Sequence, residues 1–199
     1  QSVMISLLYA HPYAHHARLE QVMLNAVQHW PGLELRELYQ LYPDFYIDVA
    51  LEQKMLTHSS AIILHYPMQW GLPPALLVQY LHKVFQYGWA YGKEGNNLKS
   101  KILFQVITTG GSEDNYCATG RDRFTIPELL EPFNQTAKVC KMNYIPPFVV
   151  HGTHKITLEE THKKAKLYHQ LLTYLEEKGV KSENFDGYTY LNHWIQAKL

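Results

Sequence analysis

Residues 61 to 66, Ala-Ile-Ile-Leu-His-Tyr, form an apolar run without helical period, the pattern of a strand buried on both faces of a parallel sheet. The run ends at Pro67. Behind Pro73 and Pro74, the residues Leu77, Leu81, Val84 and Phe85 recur at helical spacing; proline presets a first helical turn but does not continue a strand. The sequence therefore predicts strand, loop, helix. The loop, PMQWGLPP, carries Met68, Gln69 and Trp70 where a solvent-facing linker would carry Asp, Ser or Lys. Such a loop suits a flat, partly polar ligand.

The rest of the chain repeats this alternation. Val3 to Tyr9 reads as a first buried strand, followed by the loop AHPYAHHA and a helix with Leu19, Val22, Met23, Ala26, Val27 and Trp30 on one face, closed by Pro31-Gly32. Leu33 and Leu35 alternate with Glu34 and Arg36, as in a half-wet strand near a sheet edge. A loop, LYQLYPDFY, precedes a helix spaced by Ile47, Leu51 and Met55. Ile102 to Ile107 is the next buried strand, ending in Thr108-Thr109-Gly110-Gly111. Ile126 to Ala137 predicts a helix that Pro132 kinks or divides. Tyr144 to Val150 reads as an edge strand interrupted by Pro146-Pro147. Thr157 and Glu160 form a capping box for a last long helix that stops at Gly179. Residues 1–179 thus predict one α/β domain, and 180–199 an aromatic-rich C-terminal tail that closes over a site, over a second subunit, or packs on the domain. The expected architecture is a three-layer sandwich: a five-stranded parallel sheet of order 2-1-3-4-5 with helices on both faces. Ligands of such sheets lie beyond the carboxyl ends of the strands where the winding reverses. The loops after the first, third and fourth strands fall there.

Composition narrows the partners. Lys+Arg and Asp+Glu are both 18 in 199 residues, giving neither a basic excess for nucleic acid nor the acidity of many electron shuttles. Cys117 and Cys140 make no disulfide framework or zinc signature, which favours a reducing cytoplasm. No apolar run approaches the ~18 residues of a membrane span. The His11, His15, His16 and His151, His154 groups lack a carboxylate or cysteine at ligand spacing, so no metal is expected.

Two loops carry chemistry of their own. Gly110 and Gly111 have no Cβ, so backbone N–H groups there can approach a planar ligand and stabilise developing negative charge; a plain turn is the alternative. The segment from His11 to Arg18 leads into a helix whose amino end attracts phosphate, although no Gly-rich phosphate motif is present.

The segments LLYAHPYAHHA, LYQLYPDFYIDVALEQ, HYPMQWGLPPALL, KVFQYGWAYG and VITTGGSEDNY resemble the flavodoxin-like NAD(P)H:quinone oxidoreductases, above all the small bacterial members that serve as ancillary proteins of glutathione-gated potassium efflux systems. The likeness spans about residues 3 to 175. It implies a homodimer with flavin at the subunit interface, FMN by the chain's length although FAD is possible, and two-electron ping-pong hydride transfer from NAD(P)H through flavin to a quinone. By this resemblance His11 and the turn Ala17, Arg18, Leu19, Glu20 meet the ribityl phosphate. Pro67, Met68, Gln69, Trp70 and Gly71, with Thr108, Thr109, Gly110 and Gly111, border the isoalloxazine. Tyr116 matches a tyrosine that assists the reduced flavin's negative charge, and Tyr91, with Trp89 in the same GWAYG segment, matches the substrate pocket of the neighbouring subunit.

The chain also departs from the family. Ala17 and Glu20 stand where the phosphate turn usually has serine and asparagine, and Gly71 replaces a second aromatic after the tryptophan. The histidine that relays protons in the larger members aligns near Asp122, which receives no such role here. Two other functions follow from the same residues. One is an ancillary subunit that docks on and activates a membrane potassium antiporter, peripheral at the inner membrane, with redox activity secondary or absent. The other, a one-electron flavodoxin-type carrier, is disfavoured by the missing Ser/Thr-Gly phosphate loop and the lack of acidity.

Overall fold

The computed structural model describes residues 4–178 and 183–199. Strands β1 (Ile5–Tyr9), β2 (Leu33–Glu37), β3 (Ala61–Met68), β4 (Ile102–Thr109), β5 (Asn143–Tyr144) and β6 (Phe148–Val150) form one sheet of order β2-β1-β3-β4-β5, with β6 also on β4. All pairs are parallel. The winding reverses at β1 and β3, as the alternation of elements predicts. Pro146 and Pro147 split the last strand into β5 and β6, which is why the sheet has six strands rather than five.

Two apolar layers sandwich the sheet. Leu8, Ile62, Leu64, Tyr66, Leu103 and Ile107 face helices α2 (Leu38–Leu41), α3 (Val49–Thr57), α4 (Ala75–Val84), α5 (Ile126–Leu129) and α6 (Glu131–Val139). Ile5, Leu7, Ile63, Phe104 and Val106 face α1 (Arg18–Val27), α7 (Leu158–Lys178) and α8 (Leu191–Gln196). The alternation is that of strands covered on both faces.

Several boundaries differ from the sequence reading, each for a local reason. Strand β3 continues through Pro67 to Met68. The His65 carbonyl bonds toward β1, to the Ala10 N–H at 3.0 Å, and alternation aims Pro67 the same way, beyond the point where β1 has ended; the missing N–H therefore costs no ladder bond. The loop after β2 contains the single helical turn α2. Helix α3 buries Glu52 and Leu56 while Leu51 is exposed. Its buried stripe runs through a carboxylate, because Glu52 is held by Arg36, Tyr42 (2.6 Å) and Tyr80 (2.9 Å). The helix predicted over Ile126 to Ala137 divides as expected, into α5 and α6, with Pro132 in the first turn of α6. The Thr157–Glu160 capping box forms, with bonds of 2.7 and 3.1 Å. Leu158 is exposed, and the predicted stop at Gly179 lies outside the described residues.

The C-terminal segment packs against β6. Asn192 accepts from the Val149 N–H (2.8 Å) and donates to its carbonyl (2.9 Å), and the Leu191 N–H bonds to the Pro147 carbonyl. Trp194 is fully buried against Phe185 and Tyr174.

Candidate functional site

Strand register brings the three loops of interest to one end of the sheet. Met68 pairs with Thr109, the last residues of β3 and β4, so the Trp70 and Gly110 turns leave as neighbours. Tyr9, the last residue of β1, pairs with His65, three residues before β3 ends. The β1 loop therefore lies lower, and the strand ends form a step across the reversal of winding.

On the low side, His11 is part-buried and its Nδ1 accepts the Tyr13 N–H at 3.0 Å, so the neutral ring carries its proton on Nε2. Burial, opposed by the Glu20 carboxylate, lowers its pKa. Ala17 precedes α1 with no side-chain cap, leaving the first-turn N–H groups without a capping oxygen. Arg18 is exposed, while Leu19 is buried. Glu20 is buried too, and turns away beneath the loop to accept a bond of 2.5 Å from the Thr108 hydroxyl. Behind these residues His65 is fully buried with neither ring nitrogen bonded, and burial pushes its pKa down to about 3, with His11 adding to the effect.

On the high side, Gln69 and Leu72 bond to each other through both backbone groups (3.2 and 2.8 Å) around Trp70 (φ 56°) and Gly71 (φ 72°). Positive φ at both central residues is the type I′ geometry. For Trp70 this backbone is strained, and its side chain is 96% exposed. Gly71 is confined as well: its positive φ favours glycine, and a Cβ there would stand 3.1 Å from Leu129 Cδ2. Pro67 is half-buried and Met68 buried under this turn.

Beyond β4, neither Gly110 nor Gly111 has a positive φ. The left-handed nest that a double glycine allows is not formed, and the glycines give clearance instead: added Cβ atoms would lie 2.8 Å from His154 Nε2 and 2.7 Å from Asn115 Nδ2. Thr109 Oγ1 donates to the Gly111 carbonyl at 2.9 Å and lies 2.9 Å from His151 Nδ1. A hydroxyl has one proton, so His151 Nδ1–H is the donor and Nε2 the bare acceptor. That Nε2 is buried without a partner. The Tyr116 ring lies 5.4 Å from the His151 ring, and burial raises the phenol's pKa, with Thr109 acting the other way.

A family model described as the flavodoxin-like fold matches residues 4–174. The chain belongs to this flavodoxin-like family. It is 40% identical over 169 residues to the glutathione-regulated potassium-efflux system ancillary protein KefF of Enterobacter sp. strain 638, covering 85% of this chain and 95% of that protein. Among solved structures it is similar to general stress protein 14 of Treponema denticola in complex with FMN (34% identity, 86% and 99% of the two chains, TM-score 0.82). A thermophilic tryptophan halogenase of Streptomycin violaceusniger matches at the same TM-score of 0.82 (33%, 84% and 97%). An NADPH-quinone reductase of P. pentosaceus matches at 0.78 (27%, 85% and 97%).

Not every expected residue joins the cluster at this end of the flavodoxin-like sheet. Trp89 and Tyr91 lie on the connection from α4 to β4, which starts at the opposite end, half-buried against the core with Tyr91 edge-on to Tyr87 at 5.7 Å. A cavity of about 1160 Å³ also lies at that opposite end, between Ile5, Ser60, Ile102 and Asn143. Two residues absent from the sequence-level site join it: His151 stands beside Tyr116, and Tyr190 beside His151. Their only signal in the sequence is position, His151 just past the last strand and Tyr190 within the aromatic tail. Among the described residues no group of three or more His, Cys, Asp or Glu is arranged for a metal ion, and no helix is long and apolar enough to cross a membrane.

Proposed function

We propose that the protein is an FMN-dependent NAD(P)H:quinone oxidoreductase acting by two-electron ping-pong hydride transfer, and that it works as a homodimer. The observation that carries this reading is the common departure of the Trp70 and Gly110 turns from paired strand ends, beside a helix amino terminus. The residues present fit the cofactor. The uncapped N–H groups of Arg18, Leu19 and Glu20, with His11 Nε2–H, would hold the phosphate. Met68 to Gly71 and Thr108 to Gly111 would border the ring. FMN, when bound, supplies the hydride-carrying ring system.

The chain's own groups do the rest. Tyr116 keeps its proton at neutral pH, since burial raises its pKa, and is a neutral donor toward the ligand edge. Trp70 offers an indole face for a planar acceptor. Trp70 stands in solvent, and a second copy carrying Trp89 and Tyr91 would exclude water from it. Similarity to an FMN complex and to an NADPH-quinone reductase supports the cofactor and the reaction. An absorption spectrum after FMN addition, with NAD(P)H-dependent menadione reduction, tests the reading; the absence of both flavin binding and turnover overturns it.

A second function is favoured by the 40% identity to a potassium-efflux ancillary protein. In this reading the protein docks at the inner membrane on a potassium antiporter and activates it. Co-purification with an antiporter that persists when Tyr116→Phe lowers reductase turnover supports it; loss of the complex in parallel with turnover counts against an independent docking role.

A further inference from the structure

Tyr190 lies beyond residue 174, where the family match ends, yet it is buried edge-on against His151 with ring centroids 5.7 Å apart. His151 is clamped on three sides. Its Nδ1 is bound to Thr109 (2.9 Å), one flank meets Tyr116 (5.4 Å, planes tilted 35°), and Tyr190 closes another. Tyr190 is itself fixed from below. The next residues, Leu191 and Asn192, bond to the backbone of Pro147 and Val149, just before and within the short strand that delivers His151. Leu191, Trp194 and Ile195 are buried on the α1 and α7 face, while Tyr190 belongs to the opposite layer. The segment thus straddles β6 and places one ring beside the candidate site.

We propose that the C-terminal segment is a positioning element of this site: Asn192 anchors it to β6, and Tyr190 seats His151 against Tyr116. A ring held by Thr109 alone could rotate about that one bond. With Tyr190 behind it, the imidazole has one orientation, and its unpartnered Nε2 stays out of water. The proposal deepens the oxidoreductase reading and rests on it for its catalytic consequence, but the seating of His151 is a property of the chain itself.

Burial holds the His151 pKa below its ordinary value; Glu113 opposes this and Lys164 adds to it, while Tyr116 and Tyr190 pack against the ring. Removing Tyr190 hydrates the imidazole, so its pKa moves up toward 6.5. The test compares wild type, Tyr190→Ala and Tyr190→Phe. In flavin-free protein, nitrogen NMR of His151 is expected to report the Nδ1–H tautomer in wild type and a mixed tautomer with raised pKa in Tyr190→Ala. In FMN-loaded protein, Tyr190→Ala is expected to lower kcat for menadione by about tenfold and to shift the pH profile, with FMN affinity held within about twofold. Tyr190→Phe, which keeps the ring edge, restores both readouts. An unchanged His151 tautomer and pKa in Tyr190→Ala overturns the proposal. Wild type that neither binds flavin nor reduces menadione overturns the oxidoreductase reading instead, and the NMR comparison then decides the positioning role by itself.

Discussion

The Thr108 hydroxyl donates to the Glu20 carboxylate at 2.5 Å, tying the end of β4 to the first turn of α1 across 88 residues of sequence. A carboxylate at this point complements the positive end of the helix, and it also sets a negative charge beneath the turn proposed to hold phosphate. Glu20→Gln should therefore cost about 1 kcal/mol of stability while tightening FMN by roughly fivefold, the equivalent of about 1 kcal/mol of relieved repulsion. Urea unfolding and calorimetric titration measure the two effects. Weaker FMN binding in Glu20→Gln would show that Glu20 helps to hold the cofactor.

Glu52 is fully buried with Arg36, Tyr42 and Tyr80 around it. Removing one partner of a buried ion pair leaves an uncompensated charge. Arg36→Ala should lose about 3–5 kcal/mol, and Tyr80→Phe about 1.5–3 kcal/mol, each read from the denaturant midpoint. A loss below about 1 kcal/mol in Arg36→Ala would mean that water reaches Glu52 in solution.

His65 links stability to pH. Its folded pKa of about 3 lies below the ordinary value near 6.5, so the unfolded chain binds the proton more readily and stability is complete above that ordinary value. As pH falls from about 6.5 toward 3, stability should drop by up to about 1.4 kcal/mol per unit from this residue. His65→Leu removes the titrating group and should flatten the dependence between pH 6.5 and about 4. Parallel curves for variant and wild type in urea titrations would exclude His65 as the source.

Trp70 holds a left-handed backbone with its side chain in solvent. Asparagine adopts that conformation at less cost, so Trp70→Asn should raise stability by roughly 0.5–1 kcal/mol and raise the KM for menadione several-fold. A fall in the thermal midpoint would indicate that the indole is already packed, for instance on a second copy.

Most of the fold is legible in the sequence because its strands are continuous apolar runs and its punctuation is proline and glycine. Pro146-Pro147 marks the break between β5 and β6, and Thr157 with Glu160 marks the start of α7. The phase of α3 is not legible. A glutamate reads as solvent-facing until its partners are known, and Arg36, Tyr42 and Tyr80 reach Glu52 from three other parts of the chain. The site divides in the same way. Trp70 and Gly110 stand out locally because each sits in an unusual loop. His151 does not, because its contacts with Thr109 and Tyr116 cross 42 and 35 positions and depend on where β6 ends.

The last strand lies on one of the two margins of the sheet, β2 being the other, and its Val149 peptide groups would otherwise face outward in ladder geometry. The Asn192 amide satisfies both of them from a side chain. A foreign strand approaching that margin therefore finds it already occupied, which closes one route to edge-to-edge aggregation. Edge-to-edge contact between copies is thereby confined to β2, the opposite margin.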